Sequence, residues 1–313
     1  MSQRPRVLLS RPLLAEAMTE LGKRFTLQHQ AIENCDAAIV TLKDTFSADF
    51  FAQLPPQSPL KIIANYAVGY DNIDLEAAQQ RGIWVTNTPD VLTEATAELT
   101  LALLLNLSRR ILEGDRMIRA GHWSGWEPTQ LLGRGLQGKR LGLVGAGRIG
   151  QAFAHMAHRL GMPILYTSRQ AKPNFEAQTQ AQQVSLNTLC AQADVISIHL
   201  SGGAETHHFI HAEHFALMKP SAYLINTGRG NVIDEAALIQ TLQAGLLAGA
   251  GLDVFEREPA VPEALKNLPN VVLTPHIGSA THEARLAMAR LCWQNVEAAL
   301  AGHRPPQALF SLP

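Results

Sequence analysis

The chain has 313 residues, 46% of them hydrophobic, and a formal net charge of −1. That length suits two domains of about 150 residues each, and the balanced charge supplies no basic field for nucleic acid or acidic lipid. Three scattered cysteines, Cys35, Cys190 and Cys292, argue against a disulfide framework and for a reducing compartment. No apolar run approaches the roughly 20 residues of a membrane helix. The run at 7–9 is too short for the core of a signal peptide, so a cytoplasmic location is expected.

In chain order, residues 7–9 read as a strand and 13–25 as an amphipathic helix begun after Pro12. Further strands are expected at 37–41, 60–64 and 83–86, alternating with helical or loop patterns, which describes a parallel α/β unit. This unit has no glycine fingerprint. Pro55, Pro56 and Pro59 mark a surface loop. Residues 64–71 form a loop after a strand, where Gly69 can bring backbone N–H groups close to a ligand; a plain turn reads equally well. Residues 93–120 form one long helical pattern opened by a Thr93 cap. Its 99–107 stretch is almost wholly apolar, as a buried helix crossing between domains would be. Trp123 and Trp126 follow in an irregular segment, placed either to pack locally or to anchor a partner chain and close a pocket.

Residues 141–150 organise the rest. A short apolar strand runs into Gly145, Gly147 and Gly150 in a G-x-G-x-x-G spacing, and a helical pattern follows. Gly145 permits the tight turn, Gly147 lets a pyrophosphate approach the backbone, and Gly150 lets helix and strand pack closely. The helix start offers unpaired N–H groups and a positive dipole end to that anion. Strands are expected at 141–145, 163–167, 194–199, 222–226, 248–253 and 271–273, six in all, as in a doubly wound nucleotide-binding sheet. The last helix, 281–300, returns to the first unit. The expected fold is therefore α/β, with two Rossmann-like or flavodoxin-like parallel-sheet domains and an active-site cleft between them. Residues 1–98 and 284–313 would form a discontinuous substrate domain, and 99–283 the dinucleotide domain.

Residues just past the carboxyl ends of parallel strands line the binding crevice. Arg229, Asp253, Glu258 and His276 all fall at such positions. The second strand of the dinucleotide unit runs into Ser168 and Arg169 with no acid at its tip. An acid there would hydrogen-bond the ribose hydroxyls of NAD and repel a 2′-phosphate, so NADPH is expected over NADH, with NADH as the second choice. His207, His208, His211 and His214 are dense enough to suggest a metal site, but no acid or cysteine completes an obvious set. They are read as a solvated surface, and no metal is expected.

With these motifs in place, the chain resembles the D-isomer-specific 2-hydroxyacid dehydrogenase family over nearly its full length, and within it the glyoxylate/hydroxypyruvate reductases. The resemblance places the family's arginine, in T-G-R-G, on Arg229. Its glutamate, in D-V-F-x-x-E-P, falls on Glu258 and its histidine, in T-P-H-I-G, on His276. Its substrate loop falls on 65–71, with Val68 and Gly69 binding the carboxylate, and its nicotinamide-side aspartate on Asp253. Expected dinucleotide contacts are Gly145, Gly147, Arg148, Ile149, Gly150, Ser168, Arg169, Thr227, Gly228, Asp253 and Gly278. One departure follows His199, where members often carry H-x-P and this chain has Leu200 and Ser201.

The implied activity is reduction of a small 2-keto acid, with Arg229 holding the substrate through its planar fork and His276 giving the proton. Glu258 would orient the imidazole. The resemblance also implies a homodimer joined through 93–128. The alternatives are a dehydrogenase of 3-phosphoglycerate or a sugar-derived 2-keto acid, or a nicotinamide-sensing corepressor.

Overall fold

The computed structural model describes residues 4–312. Residues up to Leu92 and from Ser279 onward form one compact unit, and Thr93–Gly278 forms the other. These divisions lie a few residues before the expected 98/99 and 283/284. The first shifts because the helix beginning at Thr93 packs from its start within the second unit.

In the first unit, β1 (Arg6–Leu9), α1 (Ala15–Arg24), β2 (Thr26–Gln28), β3 (Ala37–Val40), α2 (Ala48–Gln53), β4 (Ile62–Asn65), α3 (Leu75–Gln80) and β5 (Trp84–Thr86) follow one another. The five strands are parallel in the order β2-β1-β3-β4-β5, a flavodoxin-like order. Every residue of β3 and β4 is buried, as suits strands covered on both faces. Side chains set the helix starts. Ser47 accepts from Phe50 N and Asp74 from Ala77 N, each satisfying an orphan amide. The C-terminal helix, α12 (His282–Leu300), is capped in the same way by Thr281.

The second unit opens with α4 (Thr93–Arg109) and α5 (Ile111–Arg119). The single helix expected over 93–120 is broken at Arg110, which sits at φ 55°. Ser108 O, which a continuing helix would use internally, instead accepts from Arg134 N at 2.7 Å. The Arg110 guanidinium meanwhile grips both carboxylate oxygens of Glu113. There follow β6 (Leu141–Val144), α6 (Arg148–Arg159), β7 (Ile164–Thr167), α7 (Pro173–Thr179), β8 (Gln182–Gln183), α8 (Leu186–Gln192), β9 (Val195–Ile198), α9 (Ala212–Leu217), β10 (Tyr223–Asn226), α10 (Glu235–Gln243), β11 (Gly249–Leu252), α11 (Glu263–Lys266) and β12 (Val271–Leu273).

All seven strands of the second unit are parallel, in the order β12-β11-β10-β9-β6-β7-β8. Strand order reverses between β6 and β9, the topological switch point where dinucleotides bind in such sheets. Two strands, β2 and β8, were not expected. Both are short edge strands without a buried residue, so neither carries an apolar pattern. Among the described residues, no helix is long and apolar enough to cross a membrane.

Candidate active site

Parallel strands send all their following loops to one edge of the second sheet. The glycine turn between β6 and α6 is built for a close backbone approach. Gly145 adopts φ +97°, and a Cβ on it would lie 2.9 Å from His199 O. A Cβ on Gly150 would lie 2.4 Å from Gly145 O, whereas the space in front of Gly147 is open. Gly147 is also the N-cap of α6, and the opening turn of a helix directs its leading amides and its positive dipole end outward, as an anion requires. These residues fit a pyrophosphate. Behind the turn, His199 is held to Ser197 Oγ at 2.8 Å and lies against the Phe153 ring. Burial pushes its imidazole down to about 3, so it is a neutral structural side chain.

The loop after β10 is folded by buried Asn226. Its Nδ2 donates to Arg229 O at 2.9 Å, and its Oδ1 accepts from Gly228 N at 3.0 Å. Thr100 Oγ1 gives its proton to Thr96 O, so in the 2.9 Å contact between the two hydroxyls Thr227 is the donor to Thr100. That contact ties the loop to α4. A Cβ on Gly228 would meet Leu200 O at 2.8 Å. Gly230 is tighter still, since its Cβ would sit about 1.9 Å from the Phe255 carbonyl carbon. The Arg229 loop is thereby locked against the loop that carries Glu258.

Asp253, fully buried at the end of β11, organises the loop that carries His276. Its Oδ1 accepts from Thr274 Oγ1 at 2.7 Å and Ile277 N at 2.8 Å, and its Oδ2 accepts from Gly278 N at 2.8 Å. Burial raises the Asp253 carboxyl above its usual range in spite of these donors and the nearby His276. His276 itself takes a left-handed backbone, φ 54°, a conformation non-glycine residues hold only when the surroundings fix it. Its amide does so, donating to Asp253 O at 2.9 Å and Thr274 O at 3.1 Å.

His276 Nδ1 lies 2.8 Å from Glu258 Oε2, while Glu258 Oε1 accepts from Phe255 N at 3.1 Å. Burial works to raise the Glu258 carboxyl. The hydrogen bond and charge of His276, the Phe255 amide and the Arg229 charge outweigh it and hold the carboxyl low. Arg229 is thus electrostatically coupled to the His276–Glu258 pair, and its Nη1 also donates to Gly228 O at 3.1 Å.

In the first unit, the loop after β4 is fixed through its carbonyls. Ala67 O accepts from Thr88 N at 2.8 Å, and Val68 O accepts from Asn87 Nδ2 at 2.7 Å. Each peptide is planar and trans, so an anchored carbonyl aims the next amide the opposite way. The amides of Val68 and Gly69 therefore point away from their anchors. Asn65 Nδ2 holds Gly69 O in the same manner, at 2.8 Å.

At the tip of β7, Ser168 Oγ is engaged locally, donating to Gln170 O at 2.7 Å. Arg169 is almost fully exposed and lies 3.8 Å from Glu205, which is equally exposed. The histidine cluster differs from expectation, because an acid does approach it. His207 and His208 stack, and Glu256 Oε1 comes within 3.2 Å of His208 Nε2. These three place their ligand atoms within 4.8 Å of one another. His211 and His214 instead close a capping box at the start of α9.

Asn226, Gly230, Asn87, Thr88 and Thr274 are supporting residues that the sequence reading did not single out. Asn226 and Gly230 did carry a signal, flanking T-G-R-G at the end of a strand. Asn87 and Thr88 carried only a polar pair after a strand.

A family model described as the D-isomer-specific 2-hydroxyacid dehydrogenase NAD-binding domain matches residues 101–278. The chain is 51% identical over 281 residues to a glyoxylate reductase of Thermococcus litoralis, covering 88% of this chain and 84% of that one. It is 42% identical to a glyoxylate reductase of Korarchaeum cryptofilum, covering 97% and 95%. Among solved structures, an NADPH-dependent glyoxylate/hydroxypyruvate reductase of Sinorhizobium meliloti, in complex with NADP and malonate, superposes with a TM-score of 0.87. It shares 34% identity, and the match covers 98% of this chain and 97% of that one.

Proposed function

The chain belongs to the D-isomer-specific 2-hydroxyacid dehydrogenase family of NAD(P)-dependent oxidoreductases, and from that premise we propose that it reduces glyoxylate, and hydroxypyruvate beside it, to the 2-hydroxy acid with NADPH. One observation carries the reading. His276 Nδ1 is tied to Glu258 at 2.8 Å, which leaves Nε2 as the atom free to serve a substrate oxygen. When bound, the reduced nicotinamide supplies a hydride to the carbonyl carbon.

The chain's own residues supply the remainder. The 145–150 turn and the start of α6 receive the pyrophosphate. Thr227, Gly228, Asp253 and Gly278 shape the nicotinamide side of the same unit. Arg229, with its planar fork of donors, takes the substrate carboxylate and polarises the carbonyl, and the Val68 and Gly69 amides are assigned to the carboxylate as well. His276 Nε2 delivers the proton as negative charge develops on the oxygen. Glu258 stabilises the charged imidazole that this step needs. Ser168 and Arg169 are assigned to the 2′-phosphate. Arg169 carries more of that task, because the Ser168 hydroxyl must first leave Gln170 O.

The test is oxidation of NADPH and NADH with a panel of 2-keto acids, in the wild type and in His276→Gln. The variant should still bind dinucleotide and lose turnover by about 100- to 10,000-fold, the range for a missing general acid. Near wild-type turnover would overturn the role. Supporting a homodimer, exposed large hydrophobics concentrate between Ile111 and Leu132, and α5 buries none of its residues within the chain.

A further inference from the structure

The adenosine-side loop, residues 168–172, runs from the tip of β7 to the start of α7 and carries Ser168 and Arg169. Arg169 has little to hold it, because its 3.8 Å contact with Glu205 joins two almost fully exposed side chains and such pairs are weak. The loop's backbone, by contrast, is pinned at both ends. Gln183 Nε2 donates to Ser168 O at 2.8 Å. At the far end, Lys172 N donates to the hydroxyl of Tyr166 at 2.9 Å, and that hydroxyl donates to Glu176 Oε1 at 2.5 Å.

Tyr166 is fully buried, with its ring edge-on to Phe175. Its position is therefore set by the core and not by the loop. Burial, helped by Glu176, raises its hydroxyl above the ordinary tyrosine range, so it stays protonated and keeps donating at neutral pH. A phenyl ring in its place would fill the same space and release Lys172 N.

We propose that Tyr166, fixed by Glu176, is a positioning residue that holds the 168–172 loop in the shape that discriminates a 2′-phosphorylated dinucleotide from an unphosphorylated one. This rests on the NADPH reading above. An ordered loop spends less of its binding energy on immobilising Arg169 around the phosphate. The unphosphorylated cofactor makes no such contact and gains nothing from the order.

The experiment compares kcat/KM and Kd for NADPH and NADH in the wild type, Tyr166→Phe, Glu176→Gln and Arg169→Leu, with thermal midpoints alongside. In Tyr166→Phe the NADPH/NADH preference should fall about three- to tenfold, the scale of ordering one flexible side chain. The fall should come from KM and Kd for NADPH, with kcat and every NADH constant unmoved. Glu176→Gln keeps an acceptor for the hydroxyl and should retain the wild-type ratio. An unchanged ratio in Tyr166→Phe, or an equal loss for both cofactors, would reduce the latch to plain scaffolding and overturn the proposal. A wild type indifferent to the 2′-phosphate, with no swing in Arg169→Leu, would sink the NADPH reading first and this proposal with it. Because that result is read without any Tyr166 variant, the two failures are distinct.

Discussion

At the scale of single residues, the pair Glu258–His276 makes a pH prediction with a definite sign. Burial works to raise the Glu258 carboxyl, but the hydrogen bond and charge of His276, the Phe255 amide and the Arg229 charge hold it below the usual carboxylate range. A depressed carboxyl means that the ion pair is intact above that range and is lost as the pH falls through it. Glu258→Gln has no proton to gain in that range, so the acid limb assigned to Glu258 should disappear from its profile. Full pH profiles of kcat/KM for wild type and variant check this, and superimposable profiles would leave Glu258 a spectator. The residues of this pair were legible in the sequence because each lies inside a contiguous motif. The left-handed backbone of His276 was not, since two of the three acceptors that hold it, Asp253 O and Asp253 Oδ1, belong to a residue far outside its own motif.

At the scale of elements, the loops after β10 and β11, which carry Arg229 and Glu258, are registered by the absence of a side chain. Gly230 lies so close to the Phe255 backbone that any Cβ must displace it. Gly230→Ala should therefore push the Arg229 loop from the Glu258 loop, at a stability cost of about 1–3 kcal/mol, as for overpacking elsewhere. Turnover should suffer more, by roughly 100-fold, because misplacement on the order of 1 Å is enough for that. Dinucleotide binding at the 145–150 turn should persist. Thermal unfolding and fluorescence titration separate these effects, and a fully active variant would show that the loops are not coupled through Gly230.

Six of the seven strands of the second sheet were readable because their burial leaves short apolar runs bounded by turn residues. The edge strands β2 and β8 left no such trace. Nor did the break at Arg110, which depends on Arg134 capturing the Ser108 carbonyl, or the approach of Glu256 to His208. Those contacts join residues far apart in the chain, and no local pattern encodes them.

At the scale of the whole molecule, the surface around 111–132 is unlike the rest. Six of the eleven large hydrophobics exposed among the described residues fall there: Ile111, Leu112, Ile118, Trp123, Trp126 and Leu132. Scattered apolar residues need no explanation, but a concentration of them marks an interaction surface. Trp126 is 79% exposed and Trp123 54% in the isolated chain, a large apolar area to leave in water. The α5 helix adds a face with no buried residue. A second copy of the chain is the partner proposed here, in keeping with the segment that the family resemblance assigns to subunit contact. Sedimentation should then give twice the chain mass of 34.1 kDa. Trp126→Glu with Ile118→Glu would bury unpaired charge in that contact, at a cost of several kcal/mol, and should yield a monomer at micromolar concentration. In the isolated chain both side chains are exposed, so each unit should keep its fold and its circular dichroism spectrum. A wild type that sediments as a fully active monomer would remove the dimer, and with it the explanation for the two tryptophans.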